Sequence, residues 1–280
     1  MINNNYTIND AKNWAYNQLI NTNNLNYKNE IKWFLCDVLE CNDVFLSLHK
    51  NTVMTQSQNR LFSDYILERK SGKPFQYILG YSTFYGRDFI VNSDVLIPRP
   101  ESEVIIENII KYSALDSMLE VGAGSGCIGI TASLEIEIDN VTLTDISEPT
   151  LRVAKKNGEK HNVRNINFVK HDFINDRMFD EKFDLIISNP PYINKKEYTH
   201  LSESVKNYEP RKALTDNMDG LSFYRTFAEN GLKLMHKNSI MILEFGGNKQ
   251  LLEIKNIFSN YNYKIDYDLQ GDARIIILKL

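Results

Sequence analysis

Residues 117–129 read Ser-Met-Leu-Glu-Val-Gly-Ala-Gly-Ser-Gly-Cys-Ile-Gly, and this stretch decides the fold class. The apolar run Ser117–Val121 predicts a buried strand, and the helical pattern of Gly126–Leu134 follows it directly. Between them, Gly122, Gly124 and Gly126 let the backbone turn sharply and approach a ligand that a Cβ would obstruct. The spacing is GxGxG rather than the GxGxxG of dinucleotide-binding folds. A strand, a glycine-rich turn and a helix in this order predict an α/β fold.

The same alternation of strand and helix patterns continues on the C-terminal side of Pro100. Strands are predicted at Ser117–Val121, Val141–Asp145, Ile166–Lys170, Phe183–Ser188, Ser239–Phe245 and Ala273–Leu280. Helices are predicted near Gly126–Leu134, Glu148–Asn157, Gly220–Leu234 and Asn248–Ile257. This alternation favours a parallel-dominated sheet with helices on both faces. In such sheets ligands bind at the carboxyl ends of the strands, so the residues that follow each strand are the candidates for chemistry.

The N-terminal residues have a different pattern, which predicts a small helical bundle over residues 1–82. Thr7 and Asp10 form a predicted capping box, and apolar stripes predict helices at Asn29–Leu48 and Ser57–Lys70, the latter ending before Gly72. Residues 83–280 then form the second domain. It begins with a predicted β-hairpin linker whose two arms are Phe84–Val91 and Val95–Ile97.

Composition and charge exclude several classes of protein. The 280 residues carry 32 basic and 36 acidic side chains, a net charge of −4, which disfavours a protein that coats nucleic acid. The first 98 residues are neutral, with nine side chains of each sign, so the whole excess lies in the second domain. No apolar run approaches the roughly 18 residues of a membrane span, and the polar N-terminus does not resemble a signal peptide. We therefore expect a cytoplasmic protein, and three scattered cysteines predict neither a disulfide framework nor a metal site.

The ends of the first three predicted strands indicate a nucleoside pocket. The loop Gly122, Ala123, Gly124, Ser125, Gly126 would approach the ligand, and Asp145 could accept hydrogen bonds from both ribose hydroxyls. An ordinary solvated aspartate is an equally good interpretation of Asp145 alone. After the third strand, Asp172 could accept from an adenine amine while Phe173 packs on the base. No Walker sequence GxxxxGK[ST] occurs, which disfavours a kinase or an ATPase.

The fourth strand ends in the strongest motif of the chain, Asn189-Pro190-Pro191-Tyr192. Two prolines fix φ and remove two backbone donors, which leaves rigidly aimed carbonyl oxygens. The Asn189 side-chain oxygen adds a second acceptor and Tyr192 adds a flat ring. Two convergent acceptors beside an aromatic plate suit a planar –NH2 group, so these four residues are the predicted catalytic residues.

The combined motifs resemble the class I methyltransferases that use S-adenosylmethionine and modify planar amino groups. The resemblance narrows to the peptide-chain release factor glutamine methyltransferases through several motifs that occur in the correct order from about residue 69 to the C-terminus. Two positions depart from the family pattern, since Glu120 stands where Asp is usual and Ser102 where Thr is usual. The motifs are Arg69-x-x-Gly72-x-Pro74-x-Gln76-Tyr77-Ile78-x-Gly80, Phe84-Tyr85-Gly86, Leu96-Ile97-Pro98-Arg99-Pro100-Glu101-Ser102-Glu103, Asn189-Pro190-Pro191-Tyr192-Ile193, Glu209-Pro210 and Asp219-Gly220-Leu221.

The resemblance implies a Rossmann-like class I methyltransferase fold, with the N-terminal bundle as the substrate-recognition domain. It implies S-adenosyl-L-methionine as cofactor, and Asn189 is expected to contact this cofactor as well as the substrate. The implied reaction methylates the side-chain amide nitrogen of the glutamine in the Gly-Gly-Gln motif of class 1 release factors. We expect the enzyme to be a monomer. Two alternatives stay open at this point: a glutamine methyltransferase of a ribosomal protein, and a methyltransferase of exocyclic amines in nucleic acid. The second should present a basic groove, which the acidic second domain disfavours.

Overall fold

Within residues 6–22, 24–112 and 115–279, which the computed structural model describes, the chain divides into two units. The first unit runs to Gly80 and also contains Glu203–Tyr208; the second contains Tyr81–Ser202 and the chain from Glu209 onward. No helix in these ranges is long and apolar enough to cross a membrane. The helices are α1 (Ile8–Leu19), α2 (Tyr27–Val38), α3 (Asp43–Leu48), α4 (Gln56–Lys70), α5 (Phe75–Leu79), α6 (Glu103–Ile109), α7 (Cys127–Glu135), α8 (Glu148–Lys160), α9 (Lys195–His200), α10 (Glu203–Tyr208), α11 (Arg211–Leu214), α12 (Ser222–Asn230) and α13 (Leu251–Ile257).

The strands are β1 (Tyr81–Phe84), β2 (Arg87–Ile90), β3 (Leu115–Val121), β4 (Ile138–Asp145), β5 (Ile166–Lys170), β6 (Phe183–Ser188), β7 (Met235–Glu244), β8 (Asn262–Tyr267) and β9 (Ala273–Lys279). Short 3-10 turns lie at Pro100–Ser102, Gly231–Leu234 and Gly247–Lys249. Leu280, the last residue of the predicted final strand, lies outside the described residues.

The first unit is helical, as predicted, but one helix boundary was wrong. The capping box at the start of α1 is confirmed, since Thr7 Oγ1 accepts from Asp10 N at 3.2 Å and Asp10 Oδ2 accepts from Thr7 N at 3.1 Å. The single helix predicted over Asn29–Leu48 is instead two helices, α2 and α3. Between them Glu40 has a positive φ of 50°, and Asn42 Oδ1 accepts from Phe45 N at 3.0 Å to begin α3. The chain therefore leaves the first helix before Glu40, and the side-chain cap at Asn42 starts the second.

The second unit begins with a hairpin, as predicted, but both predicted arms were wrong, since Phe84–Val91 contains the turn and the second strand of the hairpin. β1 and β2 pair antiparallel, with Tyr81 opposite Ile90 and Phe84 opposite Arg87. Tyr85 and Gly86 form the turn, and both have positive φ, which matches the two-residue turn that suits twisted strands. The residues predicted as the other arm, Val95–Ile97, form no strand, because the chain turns where Asn92 Oδ1 accepts from Asp94 N.

The main sheet has the predicted parallel core and an antiparallel edge. Its order is β5-β4-β3-β6-β7-β9-β8, and the first five strands in that order are parallel. β9 runs antiparallel to β7 and β8. Alternate residues of β3 enter different cores: Met118 packs with α6 and α7, whereas Leu119 packs with α12 and α13. Helices therefore cover both faces, as the alternating pattern predicted.

The strands β4, β3 and β6 are neighbours, and side-chain hydrogen bonds join their carboxyl ends. Thr144 Oγ1 donates to the carbonyl oxygen of Glu120 at 2.9 Å, and Ser188 Oγ donates to that of Val121 at 2.7 Å. Because parallel strands end at the same edge, the glycine loop, Asp145 and Asn189 all begin at this edge of the sheet.

Candidate active site

The loop that follows β3 presents Gly122 and Gly124 outward, whereas Ala123, Ser125 and Gly126 are buried. Gly122 and Gly124 have φ of 75° and 56°, and a Cβ added to either would meet no described atom within 4 Å. Ala123 and Ser125 are buried. Gly126 instead allows close packing, since a Cβ there would come within 3.0 Å of the Ile130 side chain. The loop therefore combines open space at two glycines with tight packing at the third.

Asp145, at the end of β4, is bound to this loop. Its Oδ2 accepts from Gly124 N at 3.2 Å, and its Oδ1 accepts from Ser147 N at 2.9 Å. Burial raises the pKa of the Asp145 carboxyl above its ordinary value, although these backbone donors and the charge of Lys212 act in the opposite direction. Both oxygens retain further lone pairs, so the carboxylate fits the pair of ribose hydroxyls that the sequence suggested.

Glu120 lies behind the glycine loop and supports α7. Its Oε2 accepts from Gly129 N at 3.0 Å, and a Cβ on Gly129 would come within 3.0 Å of the same oxygen. Burial raises the pKa of Glu120 to about 8, with Asp145 adding a smaller contribution. Glu120 therefore holds the start of α7 in place through a carboxyl group in the protein interior.

The residues predicted after the third strand lie at the same edge, but their side chains have partners within the chain. Asp172 Oδ1 accepts from Ile174 N and Asn175 N, and its Oδ2 accepts from Asn175 Nδ2. Phe173 is 3 % exposed and its ring lies 4.4 Å from that of Phe227, centroid to centroid. These contacts shape the turn and the core, and they leave Phe173 almost fully buried. The exposed Ile146, directly after Asp145, offers an open apolar side chain at this edge.

The segment that follows β6 is fixed from several sides. Pro190 is buried, and Asn189, Pro191 and Tyr192 are half-buried. The Tyr192 carbonyl oxygen accepts from Gln250 Nε2 at 2.8 Å. Burial raises the pKa of the Tyr192 hydroxyl far above its ordinary value, and Glu244 contributes to the shift. The Tyr192 ring packs against the core that contains α12 and α13, so both the ring and the backbone of Tyr192 are held by the protein interior.

The Asn189 amide is oriented by a chain of two hydrogen bonds. Asn189 Nδ2 donates to Ser102 Oγ at 3.0 Å, and Ser102 Oγ donates to Glu244 Oε2 at 2.6 Å. Ser102 and Glu244 are 2 % and 1 % exposed. The Asn189 amide nitrogen therefore donates to a partner in the protein interior. Within the described residues no hydrogen bond to Asn189 Oδ1 is found. Oδ1 is thus the acceptor that Asn189 offers to a ligand.

The sequence reasoning did not identify several residues that build this site. Asn157 joins the glycine loop to the hairpin, since its Nδ2 donates to the carbonyl oxygens of Ser125 and Ile90, at 2.8 and 3.0 Å. Gln250 donates a hydrogen bond to the Tyr192 carbonyl oxygen, and Ser102 and Glu244 orient the Asn189 amide. Two of these residues had a signal in the sequence: Glu244 is an acid near the carboxyl end of a predicted buried strand, and Ser102 lies in the motif Leu96–Glu103.

A cavity of about 750 Å³ lies elsewhere, between α8 and β5. Its walls include Leu151, Lys155 and Phe168, and none of the predicted site residues lines it. Its charged walls carry equal numbers of acidic and basic side chains, so the cavity offers no obvious charge preference. The chemistry-bearing groups are concentrated instead at the carboxyl edge of β4, β3 and β6.

Comparison with known proteins places both units in described families. Residues 10–80 match the PrmC N-terminal domain, and residues 100–207 match the Methyltransferase small domain. The release factor glutamine methyltransferase of Bacillus cereus is 33 % identical over 256 residues, which cover 88 % of this chain and 90 % of that protein. The enzyme of the same name from Bacillus subtilis is 38 % identical over 227 residues, 77 % of this chain and 78 % of that protein. A methyltransferase crystal structure from Pyrococcus furiosus has the same fold, with a TM-score of 0.54 at 19 % identity over 78 % of this chain and 96 % of that one.

Proposed function

The chain belongs to the release factor glutamine methyltransferase family, and we propose on that basis that it methylates the side-chain amide nitrogen of a glutamine in class 1 peptide-chain release factors. The glutamine is that of the Gly-Gly-Gln motif, and the methyl donor is S-adenosylmethionine. Within the cell we expect a cytoplasmic monomer whose substrate is a protein and not a nucleic acid.

The orientation of Asn189 is the observation that carries this proposal. Its amide nitrogen is held by Ser102 Oγ, so its Oδ1 is offered as an acceptor at the sheet edge. A glutamine –NH2 group has two donors, and the Pro190 carbonyl would accept from the second. Such a pair of acceptors suits a carboxamide donor and does not suit a carboxylate or a phosphate.

These contacts address the main chemical difficulty of the reaction. An amide nitrogen is a poor nucleophile because its lone pair is delocalised into the carbonyl group. Asn189 and Pro190 would hold the nitrogen in line with the methyl group, while the Tyr192 ring packs on the amide plane. Positioning of this kind supplies roughly 7–11 kcal/mol when the near-attack geometry is held. After transfer the positively charged nitrogen loses its proton readily, so no general base is required.

The glycine loop and Asp145 fit the methyl donor. S-adenosylmethionine, when bound, supplies an electrophilic methyl group on a sulfonium. The open space at Gly122 and Gly124 admits a ligand against the backbone, and Asp145 accepts from ribose hydroxyls. Ala123, Ser125 and Gly126 shape the loop from within. We assign Asp172 and Phe173 to the adenine end of this site, where Asp172 shapes the turn and Phe173 would pack against the base.

The first unit is proposed to recognise the release factor. It exposes large apolar side chains, including Trp33, Val44 and Leu48, which are suited to contact with a protein surface. The region that carries this proposed role is residues 1–82, and residues 83–280 carry the methyl transfer.

An assay with labelled S-adenosylmethionine tests the proposal. The protein is incubated in parallel with a class 1 release factor, with ribosomal proteins, and with RNA and DNA. We expect label in the release factor alone. Label in a ribosomal protein or in a nucleic acid, with none in the release factor, would overturn the proposal and support one of the two alternative substrates.

A further inference from the structure

Ser102 and Glu244 lie next to the acceptor group of the site but do not themselves face a substrate. They are 142 residues apart in the sequence and belong to different elements, the 3-10 turn Pro100–Ser102 and the end of β7. Both side chains are almost fully buried, and their hydrogen bond of 2.6 Å continues to Asn189 Nδ2. This inference rests on the proposed function, because it concerns how Asn189 is prepared for the amide.

The Glu244 carboxyl is an unusual group to bury at this point. Its Oε2 accepts from Ser102, whereas its Oε1 has no hydrogen-bond partner among the described residues. A buried carboxylate oxygen without a partner destabilises a fold. The backbone at this residue is nevertheless fixed, since Tyr224 Oη donates to the Glu244 carbonyl oxygen at 2.6 Å. A buried carboxyl that lowers the stability of the fold, at a fixed position beside Asn189, requires a functional explanation.

An asparagine amide has two ends of similar shape, and only one of them can accept a hydrogen bond. An ionised Glu244 can only accept, so it takes the single hydroxyl hydrogen of Ser102. Ser102 Oγ can then only accept from Asn189, which must turn Nδ2 toward it. The opposite end, Oδ1, is therefore presented to the substrate.

We propose that Ser102 and Glu244 are positioning residues that select the reactive orientation of the Asn189 amide. Without the relay, Asn189 could present Nδ2 to the substrate. Two –NH2 groups would then face each other and the glutamine would lose one of its acceptors. Neither Ser102 nor Glu244 touches the substrate or the methyl donor in this account.

The charge of Glu244 gives the relay a dependence on pH. Burial raises the pKa of Glu244 to about 7. When Glu244 is protonated it can donate to Ser102 Oγ, and the Ser102 hydroxyl is then free to donate to Asn189 Oδ1, which reverses the amide. Activity should therefore fall as the pH drops through about 7. The other titratable and charged groups that act on Glu244 or are acted on by it are Arg99, Glu101, Cys127, Tyr192, Tyr224 and Arg274.

Serine variants provide the first test. In Ser102→Ala the acceptor for Nδ2 is lost, and we expect kcat for release factor methylation to fall about tenfold, the value of one net hydrogen bond. Affinity for S-adenosylmethionine, measured by calorimetry, should stay unchanged. Ser102→Thr keeps the hydroxyl and should restore kcat. The matched control is Ser239→Ala, which removes another buried hydroxyl from the same unit, bound to the Phe183 carbonyl oxygen at 2.7 Å.

The pH profile provides the second test. Glu244→Gln keeps an acceptor for Ser102 but cannot change its charge, so we expect kcat to lose its step near pH 7. A Ser102→Ala enzyme with the kcat of the wild type, or a Glu244→Gln enzyme with the same step as the wild type, would overturn the inference. A wild-type protein that does not methylate release factors would contradict the proposed function instead, so the two failures are distinguishable.

Discussion

The carbonyl oxygen of Tyr192 lies so close to Gly220 that a Cβ on Gly220 would come within 3.0 Å of it. Gly220 has a φ of 80°, and its amide donates to Asp216 Oδ1 at 3.0 Å. The same carbonyl oxygen accepts from Gln250 Nε2. Two segments that are distant in sequence from Tyr192 thus fix the position of its carbonyl oxygen. The close approach of this oxygen explains why residue 220 is a glycine.

Gly220→Ala should therefore damage catalysis more than folding. The added Cβ displaces the Tyr192 backbone, and we expect kcat to fall about 100-fold, as for an ångström-scale misplacement of a reacting group. The control is Gly271→Ala, which has a similar φ of 84° but no described atom within 4 Å of its Cβ. Gly271→Ala should cost about 1–2 kcal/mol of backbone strain and leave kcat unchanged. Equal kcat values for the two variants would refute this account of Gly220.

Asp145→Ala should weaken the binding of S-adenosylmethionine and leave release factor binding intact. Loss of a charged acceptor for two hydroxyls should lower the affinity at least about tenfold. Isothermal titration calorimetry measures the cofactor affinity directly. Asp139→Ala, which removes an exposed aspartate from the other end of β4, is the matched control. An unchanged affinity in Asp145→Ala would show that the ribose is held elsewhere.

Glu120 should make the stability of the ligand-free protein depend on pH. Its pKa is raised from 4.5 to about 8 in the folded chain, mainly by burial. Below pH 4.5 the carboxyl is protonated in both the folded and the unfolded chain. As the pH rises toward 8 the unfolded chain releases the proton while the folded chain keeps it, so the free energy of unfolding falls.

The Glu120→Gln variant isolates this effect. Gln can still accept from Gly129 N but has no proton to lose, so its stability relative to wild type should increase between pH 5 and pH 8. Urea unfolding at several pH values measures the difference, and the exposed Glu137→Gln is the control. A stability difference between Glu120→Gln and wild type that does not change with pH would contradict a raised pKa at Glu120.

Arg99 and Glu209 form a pair in which one partner is buried. Arg99 Nη2 lies 2.7 Å from both carboxylate oxygens of Glu209, whose side chain is 2 % exposed. Arg99→Met leaves this carboxylate without its cation and should cost up to about 3 kcal/mol in the free energy of unfolding. Adding Glu209→Gln to Arg99→Met should recover most of the loss. If the double variant unfolds as readily as the single one, the charge of Glu209 is not the cause.

The sequence predicted the central parallel strands because they contain short apolar runs, such as Leu185–Ile187 in β6 and Ile240–Leu243 in β7, as buried parallel strands require. Ile166–Lys170 and Phe183–Ser188 were predicted to the residue. β8 was missed because it contains no apolar run: Tyr263 and Ile265 alternate with Lys264 and Asp266, the pattern of a half-buried strand. The break after α2 was missed because it depends on a side-chain cap at Asn42.

The sequence predicted the motifs of the site, but it did not predict the residues that hold those motifs in place. The glycine loop, Asp145 and Asn189 each follow a predicted strand, so their common edge follows from the parallel sheet. The hydrogen bond between Ser102 and Glu244 depends on the position of β7 beside β6, which no local pattern encodes. Asn157 is likewise a helix residue whose partners, Ser125 and Ile90, lie in other elements.

The most direct test of the account locates the methyl group and asks whether Asn189 is required to place it. A class 1 release factor is incubated with S-adenosylmethionine and the wild-type protein, the Asn189→Ala variant or the exposed control variant Asn140→Ala, and is then sequenced by tandem mass spectrometry. We predict one added methyl group on the Gly-Gly-Gln glutamine with wild type and Asn140→Ala, and an unmodified glutamine with Asn189→Ala even at saturating S-adenosylmethionine. A glutamine left unmodified by the wild-type protein, or methylated at an undiminished rate by Asn189→Ala, would contradict the account.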